Sequence, residues 1–255
     1  MSLHTLQSGS SGETIIFIHG FPMNGHIWDA QLSALAAGFK CYALDLPGYG
    51  LSPTPDGFIA SMDSYADHVA QFIAARGLPL VHIVGISLGG MIALNFARRH
   101  GHLLKSIILL HSTASTDTAE LKDGRTQIIE DIKQGGLKEF VVNFADILLG
   151  PTAGRAVRAD YITLMNDTSK DTVIAGMKAL RDRGAELQNL GNIDIPTLVV
   201  AGDQDTRTPA QMMEKIAAAL PNSTFEIITG CGHVSPIEQP DKLSGLIRDW
   251  VSARA

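Results

Sequence analysis

Along the chain, short apolar runs alternate with longer stretches in which apolar residues recur every three or four positions. The runs Thr14–Ile18, Lys40–Leu44, Val81–Val84, Ser106–Leu110, Thr197–Ala201 and Phe225–Thr229 are nearly continuous in their apolar character, and all but Lys40–Leu44 carry β-branched residues. That pattern predicts strands covered on both faces, because a strand with one solvated face alternates instead. Between them, Met62, Tyr65, Val69, Phe72 and Ile73 recur at helical spacing. So do Met212, Met213, Ile216 and Leu220 after Pro209, and Leu243, Leu246, Ile247, Trp250 and Val251 after Pro240. Proline suits a first helical turn, where its missing N–H costs nothing. Strand and helix in alternation predict an α/β fold, a mostly parallel twisted sheet with helices on both faces.

The rhythm breaks between His111 and Ile195, where no strand pattern is present but helical stripes recur. They are Ile128, Ile129 and Ile132; Phe140, Val141, Phe144, Ile147 and Leu148; Tyr161, Leu164 and Met165; and Val173, Met177 and Leu180. Gly135-Gly136, Gly150-Pro151 and residues 166–170 supply the interruptions. This predicts a helical cap, residues 113–188, inserted between two strands of a core formed by residues 1–112 and 189–255.

Composition narrows the function classes. A chain of 255 residues with 45% hydrophobic residues can bury one large core. The formal charge of −6, without Lys/Arg clusters, argues against nucleic acid and against an anionic membrane surface as partners. The first residues, Met1 to Gly12, are polar and hold no apolar stretch of signal-peptide type, and no apolar run is long enough to span a bilayer. With only Cys41 and Cys231 there is no disulfide framework, so a cytoplasmic setting is expected.

The segment Gly85-Ile86-Ser87-Leu88-Gly89 follows a predicted strand and opens a helix carrying Met91, Ile92, Leu94 and Phe96. That is the context in which a Gly-x-Ser-x-Gly sequence forms a sharp turn presenting its serine. A serine hydroxyl needs a base to become nucleophilic. Of the nine histidines, His233 stands in the loop after Phe225–Thr229, on the carboxyl edge of the sheet that also carries Ser87. His100 and His102 suit a helix end, His68 and His82 fall inside elements, and His4, His26 and His111 have no supporting neighbours. A metal site on His100-x-His102 lacks a completing carboxylate or thiolate, so no metal is expected. An acid to orient the base is available after Thr197–Ala201, in Gly202-Asp203-Gln204-Asp205, where either aspartate could serve. The loop His19-Gly20-Phe21-Pro22 lies on the same edge, and the amides of Phe21 and Leu88 could together bind an oxyanion. His19 itself reads as a structural hydrogen-bonder.

Taken in order, His19-Gly20-Phe21-Pro22 with Trp28, Asp45-Leu46-Pro47-Gly48-Tyr49-Gly50-Leu51-Ser52, Gly85-Ile86-Ser87-Leu88-Gly89-Gly90, Gly202-x-x-Asp205, and Gly230-x-Gly232-His233 with Glu238-x-Pro240 resemble the α/β-hydrolase superfamily, in its small capped esterase and lactonase branch. The resemblance runs from Ile15 to the end. It implies the chain order Ser87, Asp205, His233 for a catalytic triad, with Asp205 preferred to Asp203 by the family spacing, and Asp45–Ser52 as a scaffold loop beside the pocket. It also implies a leading hairpin that must be short or partly absent here. The implied activity is hydrolysis of a small-molecule carboxylic ester or lactone, without cofactor, through an acyl-enzyme. A receptor-like binding protein and a cofactor-free perhydrolase or haloperoxidase on the same fold are the alternatives. Phe21, Met23, Trp28 and Leu88 suggest a moderately apolar pocket. Arg155, Arg158, Arg181 and Arg183 could hold an anionic group, although solvated helix faces are the simpler assignment for them.

Overall fold

A computed structural model describes residues 3–254. The strands are β1 (Thr5–Ser8), β2 (Thr14–Ile18), β3 (Lys40–Leu44), β4 (Val81–Ile86), β5 (Leu104–Leu110), β6 (Thr197–Gly202) and β7 (Ser223–Ile228). They form one sheet in the order β1-β3-β2-β4-β5-β6-β7. Every pairing is parallel except β1 with β3, which runs antiparallel with Thr5 opposite Leu44. β2 to β6 carry almost unbroken buried runs, the consequence of helices covering both faces. The leading strand is present despite its polar sequence. β1 is an edge strand only partly buried, so its ladder bonds rather than apolar side chains hold it.

The helices are α1 (Asp29–Leu35), α2 (Met62–Ala75), α3 (Leu88–His100), α4 (Ala119–Lys133), α5 (Leu137–Leu148), α6 (Arg155–Asn166), α7 (Lys170–Asp182), α8 (Ala210–Ala219), α9 (Ser235–Glu238) and α10 (Pro240–Ser252). Two buried clusters flank the sheet. One joins Ile16, Ile18, Ile83 and Leu109 to α2, α3 and α8; the other joins Ile15, Phe17, Val84 and Ile108 to α1 and α10. α2 begins with a capping box, in which the Ser61 and Ser64 hydroxyls each accept the other residue's backbone N–H.

Helices α4 to α7 all lie between β5 and β6, where the hydrophobic pattern predicts them, with breaks at Gly135-Gly136, at Gly150-Pro151 and after Asn166. Thr118 and Ser169 cap α4 and α7 by accepting the N–H of Leu121 and Thr172. This helical segment is sewn to the sheet at defined points. The Thr168 hydroxyl donates to Pro22 O (2.7 Å), Thr172 Oγ1 donates to Gly48 O (2.9 Å), and Leu148 O accepts from the His233 N–H (2.8 Å). Each tie ends on a loop at the carboxyl edge of the sheet. Among the described residues, no helix is long and apolar enough to cross a membrane.

Candidate active site

Ser87 stands at the turn between β4 and α3 with φ 54° and ψ −112°, a strained conformation for a residue bearing a side chain. Three neighbours hold it there. Its N–H donates to Leu110 O (2.9 Å), and its carbonyl accepts from the Ser112 hydroxyl (2.8 Å) and the Met91 N–H (3.1 Å). The turn also needs bare backbone: a methyl group at Gly85 would overlap the Gly89 carbonyl, and one at Gly89 would overlap the Ile18 carbonyl.

Sheet order brings the loops after β4, β5 and β6 side by side. His233, in the loop before α9, directs its Nδ1 to Asp205 Oδ2 at 2.8 Å. Its Nε2 is buried and has no partner among the described residues. His233 and Ser87 line the same cavity of about 290 Å³. The two aspartates left open by the loop sequence are separated by geometry. Asp203 Oδ1 accepts from the N–H groups of Gly230 (2.8 Å) and Cys231 (3.2 Å), so it braces the loop that carries His233 without touching the ring.

Asp205 is densely solvated by the protein. Oδ1 accepts from the backbone N–H of Arg207 (2.8 Å) and Thr208 (2.9 Å). Oδ2 accepts from the Thr208 hydroxyl (2.6 Å), from His233, and from His111 Nδ1 (3.1 Å). Burial alone would raise this carboxyl, but the hydrogen bonds from His111 and His233 outweigh it and hold the group well below the usual carboxylate range. His111 is therefore a site residue that sequence reasoning missed. It follows β5 with φ 46° and is wholly buried, and burial drives its pKa down against the pull of Asp205, which keeps it neutral. The available signal was its position, the first residue after a strand whose neighbours end in Ser87 and Asp205. Thr208 was missed as well. His111, Asp205 and His233 bring ligand-type atoms within 4.8 Å of one another, a spacing a cation could use. Here the two Nδ1 groups act as donors to a carboxylate whose other contacts are also donors, which makes this a hydrogen-bond cluster rather than a metal nest.

The first loop supplies backbone donors. Neither the Phe21 nor the Leu88 N–H makes a hydrogen bond among the described residues. His19 Nδ1 donates to Gly20 O (2.8 Å) and Nε2 accepts from the Leu46 N–H (3.1 Å), the neutral tautomer. Burial pushes its pKa down to about 4. The Leu46 segment is itself organised by Asp45, which accepts from Gly25 N–H, Leu51 N–H and His4 Nδ1 at 2.7–2.9 Å. Glu238 does the same work opposite: Oε2 takes the N–H of Gly150 (2.9 Å) and Gly232 (3.0 Å), and Oε1 that of Val234 (2.8 Å). One carboxylate thus clamps the His233 loop to the connection between α5 and α6. Cys231, beside His233, is buried, and burial pushes its thiol up, so it is no competing nucleophile.

Two pocket expectations are corrected. Met23 and Trp28 do not line the cavity. Both are wholly buried in the core, and Trp28 packs on Phe17 with ring centroids 5.0 Å apart. The 3-10 turn Gly25–Trp28 carries the Trp28 side chain inward, and Met23 just before it joins the same buried cluster. The apolar walls come instead from Phe21, Met91, Phe144, Leu148 and Leu180. Arg183 is also corrected: it is buried, not on a solvated helix face, and donates to Asp117 Oδ1 (2.7 Å). Arg158 and Arg181 do lie on the surface, paired with Asp146 and Asp182.

The model of the α/β hydrolase fold family matches residues 13–240, and the chain belongs to that family. It is 29% identical over 250 residues to an AB hydrolase superfamily protein, YisY, of Bacillus subtilis, covering 94% of this chain and 91% of the relative. It is 26% identical over 244 residues to a pimeloyl-[acyl-carrier protein] methyl ester esterase of Vibrio atlanticus, with 90% and 91% covered. Among solved structures, a thermophilic esterase from Thermogutta terrifontis superposes with a TM-score of 0.94 at 28% identity, over 98% of this chain and 93% of that one.

Proposed function

We propose that the chain is a serine hydrolase that cleaves a small carboxylic ester or lactone through an acyl-enzyme. Ser87 would be its nucleophile, His233 its base, Asp205 its orienting acid, and the Phe21 and Leu88 amides its oxyanion hole. The observation that carries this reading is the His233 ring, anchored through Nδ1 to a buried, ionised Asp205 while its unpartnered Nε2 shares a cavity with the strained Ser87. In this arrangement Nε2 takes the Ser87 proton as Oγ attacks the carbonyl carbon. The oxyanion then forms between the two free amides, each worth roughly 3–4 kcal/mol in the transition state. His233, now protonated, returns the proton to the departing alkoxide, and the Asp205 carboxylate stabilises the imidazolium meanwhile. Water repeats the sequence on the acyl-enzyme and releases the acid. The ester-cleaving relatives support the choice of an ester over an amide bond.

Helices α4 to α7 would act as the cap over this centre, since Phe144, Leu148 and Leu180 contribute cavity wall. The test is turnover of p-nitrophenyl acetate and butyrate by the wild type and by Ser87→Ala. Hydrolysis that disappears with Ser87 supports the reading. Saturable binding of esters with no turnover would instead indicate a receptor-like protein.

A further inference from the structure

The cavity beside Ser87 is lined by both apolar and cationic side chains. Three guanidinium-bearing residues line it, Arg125, Arg183 and Arg207, against one acid, Asp117. Asp117, Arg125 and Arg183 are each at least nine-tenths buried. Arg183 is fully committed: it donates to Asp117 Oδ1, Ser115 O and Leu180 O. Arg125 gives Nε to Asp117 Oδ2 and Nη1 to Met177 Sδ, leaving Nη2 without a partner among the described residues. Arg207 is exposed, and among the described residues its side chain pairs with no carboxylate. Among the lining side chains three cations face one anion, an excess of two that the ionised Asp205 behind His233 reduces to one, in a protein whose formal charge is −6. That surplus is not inherited from the overall field.

The surplus is also felt within the cluster. Burial is the first cause of the lowered Arg125 pKa, and repulsion from Arg207 and Arg183 adds to it against the attraction of Asp117. An anion between Arg125 Nη2 and Arg207 would relieve that repulsion. Arginine's planar donors suit a carboxylate.

Resting on the esterase reading above, we propose that Arg125 and Arg207 form a carboxylate subsite, so that the substrate is an ester bearing a second, free carboxylate. The cavity of about 290 Å³ has room for a short ester. A half-ester of a short dicarboxylic acid, or the acyl ester of a short hydroxy acid, pairs an ester for Ser87 with a carboxylate for the two arginines. Phe144, Leu148 and Met91 would hold the intervening methylenes.

Arg207 is the residue to vary, because its exposed side chain holds no other residue in place, whereas Arg125 is built into a buried ion cluster. In the Ser87→Ala background, calorimetry would compare monomethyl glutarate with methyl pentanoate, and the acetate ester of hydroxybutanoate with butyl acetate. At least one anionic ester is expected to bind more tightly than its neutral partner. Arg207→Gln should reduce that preference by about tenfold, the scale of a charged hydrogen bond. Arg207→Glu should reverse it and Arg207→Lys should retain part of it. Equal binding within both pairs, or a preference that survives Arg207→Glu, overturns the subsite. Wild-type turnover of the same esters is read separately. If no ester is cleaved the esterase reading fails, and calorimetry still decides whether the subsite exists.

Discussion

Asp203 and Asp205 sit two positions apart in one loop and do unlike things. The first holds backbone amides of the His233 loop; the second accepts five hydrogen bonds, two of them from histidine rings. Asp205→Asn should therefore cut turnover of an activated ester by up to about 10⁴-fold, because an amide cannot both fix the ring and stabilise its cation. Asp203→Asn should cost far less, through loop geometry alone. Rates and melting temperatures of both variants check this, and a larger loss from Asp203→Asn at equal stability would contradict it. His111→Phe should lower turnover by about tenfold, since Thr208 and His233 still donate to Oδ2; rates beside a circular-dichroism melt read it. The strained turn at Ser87 and the loop position of His233 were legible because glycine-flanked motifs mark them. Asp205 needed the family spacing as well, since its loop offers two aspartates. His111 was not legible, because its role depends on the loops after β4, β5 and β6 meeting at one edge. Strand order is a property of the folded sheet rather than of any local sequence.

At the scale of elements, the six strands predicted from apolar runs all form, with ends shifted by up to two residues. β1 was invisible because an edge strand without an apolar face leaves no pattern. The helical segment was legible as four stripes, but not the way it is fastened. Asp117, in the loop after β5, bonds Arg125 of α4 and Arg183 just past α7, so a single buried carboxylate joins the two ends of the segment. Nothing in the spacing of these residues announces that cluster, and a surface position was the natural expectation for Arg183. Asp117→Asn leaves two guanidinium groups buried with no counter-charge, a change of the kind that costs roughly 3–5 kcal/mol. Urea unfolding should show the midpoint falling accordingly, with limited proteolysis cutting within residues 113–188 before the sheet. A midpoint within about 0.5 kcal/mol of wild type, the scatter of an ordinary surface substitution, would show that the cluster does not anchor the segment.

For the whole molecule, pH response follows from histidines held neutral inside. Burial pushes both His19 and His82 down to about 4, and lowers His111 too. Unfolded, each would bind a proton near pH 6.5. The unfolded chain thus binds more protons below that value. Stability is therefore full above about pH 6.5 and declines as pH falls toward 4, by up to about 3 kcal/mol for each of the first two histidines. Asp205, with its pKa lowered, adds stability that is lost only at more acid pH, as its unfolded carboxyl protonates near 4. Urea midpoints at pH 7.5, 6 and 5 should fall in that order; a flat profile would mean these side chains are not held neutral. The most direct test of the central claim, that Ser87 is the activated nucleophile of a hydrolase, is covalent labelling. A fluorophosphonate should add one phosphonyl group, found by peptide mapping on Ser87, with Ser87→Ala unlabelled and His233→Gln labelled far more slowly. An adduct on another residue, or undiminished labelling of Ser87→Ala, would contradict it.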